Sequence, residues 1–279
     1  YGGKLSNSSD VAAVVAVAST KMGLPVRMKV TLSNNMKMMG KRHPTRCDYK
    51  VGFTKAGKIL ALEATLYSDG GCTSVDSDGM FGALMLTLGT VYKIDNFEVG
   101  GKLCKTNLPS NTFTRGPGWC PGVFVTEHII EHVAETLKAD PGMLRPLNFY
   151  SKGGVTPDGT ILAFCNIEEI FTKLKITSSF EKRQAEVDAF NKSNTWKKKG
   201  LTIMPVRFFV GWAGDPQAAV VSIQSDGTVH VTISGVEIGQ GINTKAMQAT
   251  AYSLGIPLKY ICVPPTSSRV TPNTAATGG

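Results

Sequence analysis

No CxxC pair occurs among the six cysteines, Cys47, Cys72, Cys104, Cys120, Cys165 and Cys262. Such wide spacing suits reduced thiols better than a disulfide framework. Long apolar runs are missing too. The longest, Val11 to Ala18, is far short of the roughly 20 residues that cross a bilayer. It has neither the basic flank nor the cleavage signal of a secretory peptide. These absences read as a soluble, cytoplasmic protein with no membrane partner. There is no internal repeat, low-complexity segment, Walker A loop, dinucleotide fingerprint or nucleophile elbow. Lys and Arg exceed Asp and Glu, 30 to 21, for a formal charge of +9. The basic residues are scattered without interleaved aromatics, which argues against nucleic acid. Their one tight run, Lys197-Lys198-Lys199, reads as the solvated end of a helix.

What is present is ordinary globular composition: 279 residues, 42% hydrophobic and 18% charged. The chain begins at Tyr1 rather than Met and stops at Thr277-Gly278-Gly279, so it reads as a piece of a longer protein. Asp10 is expected to cap a helix over Val11–Lys21, which Gly23-Leu24-Pro25 stops. Val26–Leu32 alternates like a strand. Arg46–Thr54 and Lys58–Ser68 read as a hairpin joined at Lys55-Ala56-Gly57, with Phe97–Lys102 a further strand. Phe124–Leu137 carries an apolar stripe at helical spacing. Asn166–Asn191 reads as helix in two pieces. A second hairpin turns at Ser225-Asp226-Gly227, and a helix runs from Ile242 to Leu254. Strands and helices mix without regular alternation, which predicts an α+β fold of mixed sheets and helices. The Gly- and Pro-rich stretch 153–159 divides the chain into expected domains 1–158 and 159–279.

Four segments could carry chemistry. Tyr1-Gly2-Gly3-Lys4 is a glycine pair whose backbone could approach an anion or oxo ligand. In Asn107–Gly118, Arg115 precedes Gly116-Pro117-Gly118, a constrained loop that would present a guanidinium to an oxyanion, carbonyl or phosphate, the alternative being an arginine salt-bridged on the surface. Gly235–Lys245 runs through Gly239-Gln240-Gly241 into a helix start, where open N–H groups favour negative charge and Gln240 adds an amide. His128-Ile129-Ile130-Glu131-His132 matches a zinc-peptidase signature with both histidines on one helical face. Yet Glu127, Glu131 and Glu135 fall on that same face, opposite the apolar stripe, as on any solvated helix surface.

Taken in order, several of these motifs resemble the molybdenum hydroxylase family of xanthine dehydrogenases and aldehyde oxidases. The resemblance rests on Leu103–Asn111 followed by Arg115-Gly116, and on Tyr1–Lys4 as the end of a GG(F/Y)GGK loop. It also rests on Gly40-Lys41-Arg42-His43-Pro44, on Gly235–Lys245 as G-x-E-x-G-Q-G-x-x-T-K, and on the Pro272–Gly279 turn. It implies a central piece of the molybdopterin-binding region. Within the family, xanthine-oxidising members carry a Glu where this chain has Leu5. They also carry an Arg in the segment corresponding to Met80–Ala83, where this chain has Gly82. Losing both removes the polar readout that a purine needs. Arg115–Gly118, with Pro117 where xanthine enzymes have Phe, is similar to the invertebrate aldehyde oxidase form. The departures are Trp119-Cys120-Pro121, bulkier than usual, and Gly116, often Ala in that form.

The resemblance thus implies oxidation of aldehydes to carboxylic acids, with oxygen from water, hydride to the molybdenum centre, and electrons onward through iron–sulfur clusters and FAD. Arg115 would be catalytic beside the metal, with Tyr1 and Gly279 in the molybdenum vicinity. Tyr1, Gly2, Gly239, Gln240, Gly241 and Gly279 would bind the molybdopterin, and Leu5, Gly82 and Pro117 would line the substrate pocket. FAD, the 2Fe-2S clusters and the family's general-base Glu would lie outside this chain, which would not be active alone. The parent would be a homodimer acting on a small aldehyde. A xanthine dehydrogenase-like purine hydroxylase, a zinc peptidase through His128, Glu131 and His132, and a non-catalytic relative are the other readings.

Overall fold

The structure, a computed structural model, describes residues 8–38, 40–208, 218–237, 239–267 and 269–270. Among these, one compact unit falls within 29–209, the other within 4–28 and 210–279. The architecture is α+β, with helices around two small mixed sheets.

In the first unit, β1 (Thr45–Phe53) and β2 (Ile59–Gly71) form the expected hairpin. β3 (Asn96–Lys105) then pairs with β2 in parallel, Leu62 opposite Phe97 and Leu66 opposite Gly101. Parallel neighbours need a long crossover, and here it contains α3 (Ser77–Thr87). Ile59, Leu62, Ala64 and Leu66 of β2 are buried beneath Met80 and Leu84 of α3 and Ile129 and Ile130 of α4 (Trp119–Leu137). Each of these leucine, isoleucine and methionine side chains, fully buried, contributes about 1.5–3 kcal/mol. A satellite cluster joins Val133 and Ala134 of α4 to Leu144 of α5 (Pro141–Leu147). α2 (Leu32–Met38), α6 (Ile167–Thr177) and α7 (Phe180–Ser193) complete the unit.

The second unit contains α1 (Ser9–Met22) and a sheet of β4 (Ala219–Ile223), β5 (Val229–Ile233) and β6 (Ile261–Cys262). Val229, Val231 and Ile261 form its core, covered by Ala246, Met247 and Ala251 of α8 (Ile242–Leu254). A short 3-10 turn, Leu258–Tyr260, leads into β6.

Several local expectations need correction. No strand forms over 26–31, and Leu32 opens α2. Alternation without a partner strand does not make a sheet. α1 starts one residue before Asp10, which lies in its first turn; Ser8 is the N-cap residue and makes no side-chain capping bond. α4 begins five residues before Phe124 because Pro121 is tolerated in a first turn, where its missing N–H costs nothing. The lysine run lies beyond the end of α7. It folds back on that helix, with Lys198 Nζ donating to Asn191 O (2.6 Å) and Lys199 over the Phe190 ring (4.1 Å). α3 was not expected: Gly79 and Gly82 lower its propensity, and it has little amphipathic pattern. All six cysteines are free. No helix among the described residues is long and apolar enough to cross a membrane.

Candidate functional site

The Asn107–Gly118 loop leaves β3 and ends where α4 begins, and two segments distant in sequence hold it. One is the Asp69-Gly70-Gly71 turn at the end of β2. Asp69 Oδ1 accepts from Gly71 N and Thr106 Oγ1 (2.8 and 2.7 Å), while Asn111 donates to Gly70 O and Asp69 O (3.0 and 2.8 Å). The other is Gly40–Pro44. Lys41 N donates to Asn111 Oδ1 (3.1 Å), and Thr112 N returns a bond to Lys41 O (3.1 Å). The approach is so close that a Cβ on Gly40 would lie 1.5 Å from Ser110 O. His43 is buried, with Nε2 2.8 Å from Ser77 Oγ, and desolvation holds its pKa below the ordinary imidazole value.

Arg115 itself is exposed, and its guanidinium has no ion-pair partner among the described residues. Its backbone is held firmly. Arg42 donates from Nη2 to Arg115 O (2.7 Å) and from Nη1 to Gly116 O (3.2 Å). Gly118, at φ +75°, lets the chain press on α3, where a Cβ would come 2.5 Å from Leu84 N. Trp119 then stacks on Phe208, ring centroids 4.7 Å apart. Pro117 is half-buried in this loop. Gly82, on α3, is exposed, and a Cβ there would meet nothing within 4 Å.

In the second unit, the Gly239-Gln240-Gly241 turn leads into α8 as expected, but its N–H groups are not open. The Glu237 carboxylate accepts from Gly239 N (2.7 Å), Gly241 N (3.1 Å) and Asn243 N (3.4 Å). These bonds, Gly241's first, pull the Glu237 pKa below its usual range. The chain thus supplies its own anion at this helix start. Gln240 Nε2 donates to Val236 O (2.9 Å), and the backbone at Gly239 and Gly241 has open space where side chains would stand.

The zinc signature is differently engaged. His132 Nδ1 lies 2.6 Å from the Tyr49 hydroxyl, the His128 ring stacks on Phe124, and Glu131 pairs with Arg145. Both histidines border a surface cavity of about 580 Å³. Among the described residues, however, no three His, Cys, Asp or Glu side chains converge to hold a metal. The expectation that Glu127 shares a solvated face is overturned. Glu127 is buried, paired with Arg145 at 2.8 Å, and accepts from the Tyr92 hydroxyl at 2.5 Å.

Two domain-family models, both described as molybdopterin cofactor-binding domain, match residues 1–149 and 173–279. The chain belongs to the molybdopterin cofactor-binding domain family. Among curated relatives, this molybdopterin-binding chain is 41% identical to aldehyde oxidase 3 of Mus musculus, over 100% of its own length and 21% of the relative's. It is 38% identical to xanthine dehydrogenase of Oryza sativa subsp. japonica, over 99% of its length and 20% of the relative's. It therefore spans about a fifth of these relatives. The aldehyde oxidoreductase of Desulfovibrio desulfuricans ATCC 27774 superposes with a TM-score of 0.74 at 24% identity, covering 96% of this chain and 30% of that one. At that identity the likeness speaks for the fold alone. The two curated relatives come from a mammal and a plant and lend the invertebrate-type resemblance no support.

Tyr1, Gly2, Leu5 and Gly279 lie outside the described residues. Arg115 and Pro117 share one loop, which also abuts the α3 turn bearing Gly82; Gly239–Gly241 belong to the other unit. Sequence reasoning missed the holding groups: Arg42, the Asp69–Gly71 turn and Glu237. Arg42 sits in the recognised Gly40–Pro44 motif, but only the folded chain shows what it touches.

Proposed function

We propose that this molybdopterin-binding chain belongs to an enzyme that oxidises aldehydes to carboxylic acids. The observation that carries this reading is the open space at Gly82, on the helix α3 that the Arg115 loop packs against at Gly118. A purine hydroxylase would need a fixed polar partner there, whereas an aldehyde needs only a donor to its carbonyl oxygen and apolar room for the remainder. Exposed, unpaired and borne on a backbone held at two carbonyls, Arg115 suits the donor role. Pro117 would supply apolar surface, a role that the resemblance also implies for Leu5. An aldehyde plus water gives the acid, two protons and two electrons.

The residues present fit the cofactor. Gly239 and Gly241 leave their backbone faces open beside the Gln240 amide. Because Glu237 already engages the turn's N–H groups, the turn suits a neutral pterin edge better than a phosphate. Tyr1, Gly2 and Gly279 would complete the cofactor site by resemblance. The molybdenum centre, when bound, supplies the two-electron oxidation. We further propose sequence domains 1–158 and 159–279, a reading supported by family matches on either side of the 153–159 stretch, although α6 and α7 of the second belong to the first compact unit. The parent would be a cytoplasmic homodimer carrying FAD and 2Fe-2S clusters elsewhere.

The test is turnover by the full-length protein of benzaldehyde against hypoxanthine, with molybdenum and iron measured on the same sample. Faster acid formation from benzaldehyde supports the proposal. Preference for hypoxanthine would reassign the enzyme to purines, and absence of molybdenum would remove its catalytic basis.

A further inference from the structure

We infer that Arg42 is a positioning residue for Arg115, acting on its backbone rather than on substrate; this rests on the reading of Arg115 as the substrate-facing group. The geometry is a clasp. One guanidinium spans two successive carbonyls, Arg115 O at 2.7 Å and Gly116 O at 3.2 Å, across more than seventy residues of sequence. Charge-assisted bonds of this kind are about twice as strong as neutral ones.

Both sides of the clasp are anchored. On the Arg42 side, Lys41 exchanges bonds with Asn111 and Thr112, and the neighbouring His43 is buried against Ser77 at the start of α3. On the Arg115 side, Cys120 N donates to Gly116 O (3.1 Å), and Thr87 Oγ1 donates to Gly118 O (3.2 Å). Between these anchors the chain passes two positive-φ glycines, Gly116 and Gly118. Glycine explores more backbone conformations than any other residue. A side chain mounted next to such positions needs an external tie to keep one direction. Arg42 provides that tie, and its planar fork fits two adjacent carbonyls in a way that a lysine ammonium does not reproduce.

The experiment uses the full-length, cofactor-loaded enzyme, with rates normalised to bound molybdenum. Arg42→Ala, Arg42→Lys, Arg115→Ala and the Arg42→Ala/Arg115→Ala double variant are assayed with benzaldehyde for kcat and KM. Amide hydrogen exchange is followed over residues 115–120. We expect Arg42→Ala to lower kcat about 100-fold, the order of loss from a misplacement of roughly 1 Å. Arg42→Lys should restore only part of it. In the Arg115→Ala background the same change should cost less than about twofold, because the two positions act as one unit. Exchange over 115–120 should quicken in Arg42→Ala. Equal losses in both backgrounds, or unchanged exchange, would overturn the inference. Undiminished turnover in Arg115→Ala would instead defeat the substrate-facing reading of Arg115, and exchange would still decide whether the clasp holds the loop.

Discussion

Replacing Glu127 by alanine removes the anionic centre of a buried network. Its carboxylate side chain is 4% exposed and that of Arg145 3%, and they meet at 2.8 Å. The second carboxylate oxygen accepts from Tyr92, whose phenol desolvation and the nearby Glu127 push well above the ordinary tyrosine pKa. Removing one partner of a buried pair costs about 3–5 kcal/mol, because the other charge is left in a poor environment. Arg145 keeps Glu131, but that carboxylate is half-exposed and screened, so the lower end, about 3 kcal/mol, applies to the charge. Orphaning the Tyr92 hydroxyl adds about 1 kcal/mol. The sum, about 4 kcal/mol, corresponds to roughly a thousandfold at 1.36 kcal/mol per decade. Native-state hydrogen exchange of the slowest α4 and α5 amides reads this directly in the full-length protein. Glu127→Gln, which keeps one acceptor, should fall between that variant and the parent. A change below tenfold for Glu127→Ala would show that the network is not a stabilising unit and that this reasoning is wrong.

Gly40→Ala should disrupt the site loop, since its Cβ would sit 1.5 Å from Ser110 O. Backbone must move, at a cost at or above the roughly 3 kcal/mol upper range for overpacking, and a falling thermal midpoint would register it. Gly82→Arg should raise stability by about 0.5–1 kcal/mol, because the space is open and arginine suits a helix interior better than glycine. It should also shift the purine-to-aldehyde ratio of kcat/KM upward by about 10-fold, the size of one charged hydrogen bond. His43 sets a pH dependence. Its folded pKa is depressed by burial, the carboxylates of Asp69 and Asp76 raise it in part, and the Arg42 cation lowers it again. The unfolded state therefore takes up its proton first, and stability should fall as pH drops below about 6.5. His43→Gln should flatten that slope in unfolding midpoints recorded between pH 5 and 8.

Much of the fold is local and was legible. The apolar stripe of Ile129, Ile130, Val133 and Ala134 predicts α4, and these residues are buried. The Lys55-Ala56-Gly57 turn predicts the β1–β2 hairpin, and Gly255 closes α8 in the left-handed conformation. Each signal is confined to one element, where spacing or a single turn residue decides the outcome. Motif order likewise led from Tyr1–Lys4, Arg115-Gly116 and Gly239–Gly241 to the molybdopterin-binding family.

What the tertiary structure decided is which distant groups meet. Leu62 opposite Phe97 in a parallel pair depends on a crossover that no local pattern encodes. Glu127 has the spacing of a surface residue, and it is buried because α5 brings Arg145 beside it. The Gly239–Gly241 amides have the look of an open anion seat until the chain folds Glu237 onto them. Arg42 gains its meaning only from the loop it holds. Periodicity reports the face that an element must bury, whereas partnership between polar groups depends on three-dimensional proximity, which spacing along one chain does not specify.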